Sequence, residues 1–309
     1  MPTTSKTEDI SFHSITPEDC NAVQAITMHS GLRNCNYTFS NMIGWKFLFD
    51  TEVCIRPGIV MLRLHFGGRS CGHLICSAQP PAKATIEALR ANAAQTGQPL
   101  TLLAIEDSRA EHLRQEYGEV ISIEPQRNSY DYIYSRHELE TLKGKNLKSK
   151  RNHVNKFLSE HPDFEYRELV PQHFKQCMQL EERWQSSPHE NPIYGDTITS
   201  ERKMIECIFD NWERLDMTGG AIFVGDKMVA FSFGSAVTTD TFDTCVEKAD
   251  RSVDGAFNII NQQMAAHLPE QFKYINREED MGIEGLRKSK SSYHPVELLS
   301  YNIITFPMP

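Results

Sequence analysis

The sequence predicts an α+β protein of two units, each a mixed sheet flanked by helices. Three observations lead there. Strand-like and helix-like runs alternate along the chain. At 309 residues there is enough chain for two domains, each able to bury its own core. A tyrosine-rich strand followed by a cation-rich stretch divides the sequence into units of residues 1–135 and 136–309.

The elements follow in order. Ile10–Ile15 reads as a short strand. Thr16, with Pro17 next and Asp19 three positions on, starts a helix that runs to about His29. Tyr37, Phe39, Trp45, Phe47 and Phe49 crowd the next segment, where core packing accounts for them better than a ligand box does. Val53–Arg56, Ile59–Phe66 and His73–Ser77 are strands parted by the turn pairs Pro57-Gly58 and Gly67-Gly68. A helix spans Ala82 to about Thr96, with Gly97 at its C-terminal cap. Leu100–Ile105 is a strand and Ser108–Tyr117 a helix.

Tyr130, Tyr132 and Tyr134 alternate with Asp131 and Ile133, which gives a strand with one aromatic face. A basic helix covers Thr141–Lys156. Phe164–Val170 is a strand, Pro171–Gln185 a helix and 186–200 a loop with Pro188 and Pro192. Thr199 or Ser200 caps a helix to about Leu215. Gly220–Val224, Met228–Val237 and Phe242–Glu247 are strands, the first two joined by a Gly225-Asp226-Lys227 turn. Asp254 caps a helix over Gly255–His267. Phe272–Ile275 is a strand, Ile283–Ser291 a helix and Val296–Phe306 the closing strand.

Composition narrows the function. With 32 basic and 41 acidic residues the net charge is −9, which argues against nucleic-acid binding over the whole surface and leaves room for a local basic patch. Met1–Ile10 is polar, and no apolar run approaches the roughly 18 residues that span a bilayer. The eight cysteines are scattered, with no Cys-x-x-Cys pair and no histidine at zinc spacing. They read as reduced thiols of a cytoplasmic protein without a metal site.

Two stretches carry chemistry. Thr141–Lys156 holds Lys143, Lys145, Lys148, Lys150, Arg151 and Lys156 and no acid. Lys148, Arg151 and Asn155 share one helix face. Cations this dense in an acidic chain mark a site for an anion, against the simpler reading of a solvated face. Between Asn276 and Lys290 lie four carboxylates and four cations, among them Glu278, Glu279, Asp280, Arg287, Lys288 and Lys290. Acids before bases suit a helix dipole, but the density exceeds what that requires.

Gly285-Leu286, then Ser289-Lys290 and Tyr293, resembles the C-terminal signature of the bacterial phosphatidylglycerol lysyltransferase C-terminal family. That family is a tandem GNAT-like aminoacyltransferase group, related in fold to the Fem-type enzymes, in which Gly-Leu precedes Phe-Lys and an aromatic. Ser289 stands here where that pattern has Phe. The element order of the second unit is GNAT-like, and the first unit is a degenerate copy. The resemblance implies aminoacyl-tRNA as co-substrate and no bound cofactor. It places Lys148, Arg151 and Lys156 near phosphates of donor or acceptor. Lys290 is then the catalytic residue, stabilising the oxyanion or touching the donor's terminal phosphate. Arg287 and Lys288 contact phosphates, and Glu278, Glu279 and Asp280 recognise the donor's amino group or a basic side chain. GNAT enzymes hold the CoA pyrophosphate where this chain reads Ala249–Ala256. Asp250 and Asp254 put negative charge there, which disfavours acetyl-CoA and suits an aminoacyl amino group, with Asp254 as a plain N-cap the competing reading. The acceptor is an anionic lipid headgroup, a cell-wall precursor, a peptide or a small molecule. A CoA-dependent N-acyltransferase and a non-catalytic binding module are the alternatives.

Overall fold

A computed structural model describes residues 10–67, 70–185 and 194–308. The first half runs β1 (His13–Ser14), α1 (Cys20–Thr27), α2 (Phe39–Gly44), α3 (Lys46–Phe49), β2 (Glu52–Arg56), β3 (Ile59–His65), β4 (Cys71–Ser77), α4 (Lys83–Gln95), β5 (Thr101–Glu106), α5 (Asp107–Tyr117) and β6 (Ser122–Pro125). Next come β7 (Asp131–Ser135), α6 (Arg136–Thr141), α7 (Lys148–Glu160), β8 (Glu165–Glu168), α8 (Phe174–Gln185) and α9 (Tyr194–Asp210). The rest is β9 (Thr218–Val224), β10 (Lys227–Ala236), β11 (Thr241–Ala249), α10 (Ala256–His267), β12 (Tyr274–Asn276), α11 (Glu284–Ser291), β13 (Glu297–Leu299) and β14 (Tyr301–Thr305). From α8 to β13 this is the helix–helix–three strands–helix–strand–helix–strand order of a GNAT-like unit.

Among the described residues the strands form two sheets, ordered β1-β2-β3-β4-β5-β14-β6 and β13-β7-β12-β11-β10-β9-β8. Parallel pairs β4–β5 and β11–β12 make both of them mixed. The chain crosses between the sheets twice. β7 ends the first predicted unit yet pairs with β12 and β13. The predicted closing strand Val296–Phe306 is two strands, and β14 returns to the first sheet between β5 and β6. Burial explains the split: Leu299 packs with Ile133 in the second sheet, while Ile304 and Phe306 fill the core beneath Ile86, Leu89 and Leu113.

The two sheets share a core. Val53, Leu62 and Leu74 pack with Phe223, Phe231 and Phe233, and with Met42, Leu180 and Ile205 from α2, α8 and α9. A separate cluster under α7 and α10 includes Val154, Phe157, Ile259 and Tyr293.

Three predicted boundaries move. The basic helix begins at Lys148, because Leu142 (φ 47°) and Gly144 (φ 91°) take left-handed backbone. Arg151 donates to the carbonyls of Leu142 and Gly144 and ties that loop to the helix. Helix α9 starts at Tyr194 rather than after residue 199, and the predicted loop over 186–193 lies outside the described residues. Gly255, not Asp254, is the N-cap of α10. Its φ is 77°, and a β-carbon there would sit 2.6 Å from the His153 carbonyl oxygen of α7.

One glycine decides how the candidate site is built. Strand β10 slips register against β11 between Phe233 and Ser235. A β-carbon on Gly234 in that bulge would lie 1.7 Å from the Asp243 carbonyl oxygen. Gly234→Ala is therefore expected to lower unfolding free energy by about 3 kcal/mol, the upper end of ordinary overpacking costs, as read by urea denaturation.

Candidate active site

Four carboxylates meet where β11 and β12 part. The two strands pair only from Thr241 to Asp243, while β11 runs on to Ala249. Alternation puts Asp243, Cys245 and Glu247 on one face of β11. Asp131 opens β7, and Glu278 and Glu279 follow β12. The first half contributes Cys35 on a helical turn and Ser40 and Asn41 on α2, with Thr38 between them.

Asp131 and Asp243 are fully buried. Asp131 accepts from the Cys35 N–H and the Asn276 amide, both at 2.8 Å, and from the Tyr301 hydroxyl at 3.2 Å. Asp243 accepts from the Thr38 hydroxyl at 2.9 Å and the Asn41 amide at 3.2 Å. Its other oxygen, Oδ1, is buried without a hydrogen-bond partner. The same Asn41 amide donates to Glu278 at 2.9 Å. Glu278 reaches it from left-handed backbone, φ 57°, a conformation that surrounding contacts must hold. The Cys35 thiol lies 3.3 Å from Asp131 and 3.6 Å from Glu279.

Burial, then the charge of Glu279, pushes Asp131 up to about 6. Burial, reinforced by neighbouring carboxylates, raises Asp243 and Glu278 well above the carboxylate range. The same two causes raise the Cys35 and Cys245 thiols, which makes them neutral donors rather than nucleophiles. A cluster this short of positive charge holds protons or takes up a cation. Cys35, Asp131 and Glu279 bring donor atoms within 4.8 Å of one another, as do Asp243, Cys245 and Glu278. An ammonium group and a divalent cation both match such oxygens; the sequence spacing predicts no metal.

Lys290 closes the far side. Its ammonium donates to the carbonyls of Arg277 at 2.5 Å, Glu278 at 3.1 Å and Glu279 at 2.6 Å. That uses all three of its protons. Burial outweighs the nearby carboxylates and lowers its pKa. In this conformation Lys290 has no proton left for an oxyanion, and it shapes the Glu278–Glu279 loop instead.

Residues 29–304 match the family described as phosphatidylglycerol lysyltransferase, C-terminal. The chain belongs to that family. Solved structures resemble it, three of them as follows. A conserved protein of unknown function from Bacteroides thetaiotaomicron VPI-5482 is 36% identical, with TM-score 0.91 over 96% of this chain and 100% of the other. The C-terminal domain of a candidate lysylphosphatidylglycerol synthetase from Agrobacterium fabrum has TM-score 0.67 at 13% identity, covering 94% and 92%. The L-PGS structure from Bacillus licheniformis has TM-score 0.63 at 12% identity, covering 94% and 91%. No curated protein matches the chain. The tandem GNAT-like α+β fold is the one the sequence predicts. Among the described residues no helix is long and apolar enough to cross a membrane.

In this lysyltransferase-family chain the sequence-selected residues part company. Glu278 and Glu279 belong to the acidic cluster. Asp280 does not: it is a buried hub that accepts from Arg127 at 2.9 Å, Tyr132 at 2.7 Å and both edges of the Arg287 fork at 2.9 Å. Burial pushes its carboxyl up, but those donors outweigh burial and hold it well below the usual range. Arg287 is thus a structural partner, bonded also to Asn128, and Lys288 is exposed. Asp250 pairs with Lys227 at 2.7 Å, and Asp254 with Lys156 at 2.6 Å. These surface pairs occupy three of the predicted ligand contacts. Lys148 is exposed on the first turn of α7.

The basic helix still reaches the C-terminal signature, through a residue not singled out in it. The Lys150 ammonium lies 4.4 Å over the Tyr293 ring, and the Arg277 guanidinium lies 5.0 Å from the same ring. Arg277 also pairs with Glu247 at 2.7 Å, and Tyr134 donates to the Lys290 carbonyl at 2.8 Å. Asp131, Asp243, Asn41, Lys150 and Arg277 are the residues that sequence reasoning missed. The available signal was an aspartate next to large apolar residues in a strand, Asp131 before Tyr132 and Ile133 and Asp243 after Phe242, since acids are almost never fully buried unless paired.

Proposed function

We propose that the chain moves an aminoacyl group from aminoacyl-tRNA to an amine or hydroxyl on an anionic acceptor. The buried acidic cluster carries this reading. Its surplus negative charge fits an ammonium group, and an aminoacyl ester bears one on the carbon next to its reacting carbonyl. In the proposed step the acceptor nitrogen or oxygen bonds to the ester carbon and the ester C–O bond to ribose breaks. The acceptor proton passes to a cluster carboxylate, which returns it to the departing ribose oxygen. Glu278 is the proton acceptor in this scheme, because burial, then the charges of Asp243 and Glu279, raises its carboxyl well above its ordinary value and makes the carboxylate a stronger base. Asp131, Asp243 and Glu279 hold the ammonium. Exposed Lys143, Lys145 and Lys148 face the tRNA phosphates.

The test is transfer of labelled lysine or alanine from charged tRNA to phosphatidylglycerol vesicles, a peptide or an amine. Glu278→Gln is expected to slow transfer by about a hundredfold or more. Wild-type protein that transfers no label from any charged tRNA, yet is stabilised by acetyl-CoA and uses it as donor, would establish the CoA-dependent alternative.

A further inference from the structure

One oxygen of the buried cluster is left unused by the fold. Asp243 Oδ2 accepts from the Thr38 hydroxyl and the Asn41 amide, and the Cys245 sulfur lies 3.7 Å from it. Asp243 Oδ1 has no hydrogen-bond partner among the described residues, although the side chain is fully buried. A carboxylate oxygen buried bare is costly, and a bound ion accounts for it. Lys290 does not supply that ion, because its three protons go to the carbonyls of Arg277, Glu278 and Glu279.

Two more donors converge on the same place. Asp243 and Cys245 are two positions apart on β11 and face the same way. Glu278 arrives from the loop after β12. One donor atom from each of the three lies within 4.8 Å of the others. Tetrahedral bonds of about 2.3 Å to sulfur and about 2.1 Å to oxygen put ligand atoms roughly 3.5 Å apart, so closing on an ion takes a small shift. The supporting contacts are already in place. Thr38 and Asn41 orient the Asp243 carboxylate, Asn41 also holds Glu278 at 2.9 Å, and Ser40 Oγ lies 3.4 Å from the Cys245 sulfur. Glu278 is only partly buried, which gives an ion its way in.

The donor set selects the ion. Magnesium and calcium are held by oxygen alone. One thiolate and two carboxylates, with a water in the fourth position, suit a borderline-soft ion such as zinc. The second trio of this kind, Cys35, Asp131 and Glu279, is already satisfied. Asp131 Oδ2 has three donors and Oδ1 has the Cys35 thiol.

We propose that Asp243, Cys245 and Glu278 bind one zinc-like divalent cation. The Cys245 S–H bond breaks, Sγ bonds to the ion and the proton goes to solvent, while Asp243 binds through Oδ1. The ion competes with an ammonium group for the same carboxylates, so zinc inhibits transfer. Only that consequence rests on the transfer reading; the metal site does not.

The test uses the metal-stripped full chain with no tRNA or acceptor present. Cobalt(II), a coloured stand-in for zinc, is titrated in and followed by absorption. One equivalent is expected to produce a near-ultraviolet thiolate-to-cobalt charge-transfer band, which zinc then abolishes. Cys245→Ser is expected to remove the band and to weaken zinc binding at least tenfold by calorimetry. Glu278→Gln is expected to weaken zinc at least tenfold and to keep the band, and Cys35→Ser to leave both unchanged. No band in the wild type, or a band that survives Cys245→Ser, overturns the site whatever the transfer assay shows. Should Cys245→Ser fold poorly, Glu278→Gln decides: unchanged zinc affinity in that variant overturns the site. A thiolate band in a protein that transfers no label leaves the metal site standing and counts against the transferase reading alone.

Discussion

Asp243→Asn is expected to melt higher than wild type at pH 8 and to have lost transfer activity by about two orders of magnitude. Asparagine keeps the shape and an acceptor for Thr38 and Asn41, and removes one charge from a desolvated cluster. The sign follows from the raised pKa of Asp243. A carboxyl that binds its proton more tightly folded than unfolded contributes stability below its unfolded value, near 3.8. That contribution is lost as pH rises toward the folded value. Asp131, raised to about 6, loses its share between roughly pH 4 and 6. Wild-type stability should therefore decline from pH 4 to pH 8, and Asp243→Asn should flatten the decline. A gain of about 1–2 kcal/mol at pH 8, a few degrees in Tm, is the usual size for one relieved strain. Equal melting curves for both proteins at pH 5 and pH 8 would show that Asp243 binds its proton no more tightly in the fold than in the unfolded chain.

A stabilised, inactive variant also discriminates between functions. In a non-catalytic module the buried acids would be an unexplained cost, since an unpaired buried charge is destabilising and is readily lost. In a transferase they are a site kept ready for a cation that arrives with the substrate.

How much of this was legible depends on what each residue contacts. The α+β class, most element positions and the GNAT-like order followed from local patterning: apolar alternation, Pro-Gly turns and capping residues. The exchange of strands did not, because nothing in the sequence Glu297–Thr305 says that neighbouring residues serve different sheets. Glu278 and Glu279 were found because they sit in a dense charged motif. Asp131 and Asp243 lie in strands far from that motif, and only the crossing of β7 and the bulge at Gly234 bring them beside it. The cation count of residues 141–156 singled out α7 only as a whole. It could not tell Lys150, which folds inward over Tyr293, from Lys156 and Arg151, whose partners Asp254, Leu142 and Gly144 come from other turns of the chain.

Lys290→Met is expected to lower Tm by roughly 5–10 °C at pH 8, corresponding to about 3 kcal/mol. Methionine keeps most of the stem and deletes the ammonium. The carbonyls of Arg277, Glu278 and Glu279 then lose their shared donor, and each buried acceptor left unmade costs about 1–3 kcal/mol. Relief of the lysine's own desolvation works the other way. Removing one partner of a buried charge set nevertheless costs more than it returns, because Glu278 and Glu279 stay behind without their nearest cation. The loss should shrink as pH falls from 8 to 5, because the raised carboxyls of Glu278 and Asp243 take up protons more readily than ordinary carboxylates and then need no counter-charge. A lysine acting only on an oxyanion would give the opposite pattern: Tm unchanged at both pH values and kcat reduced about a hundredfold. Thermal melts at pH 5 and pH 8, run alongside the transfer assay, therefore separate a residue that builds the Glu278–Glu279 loop from one that touches the reacting atoms.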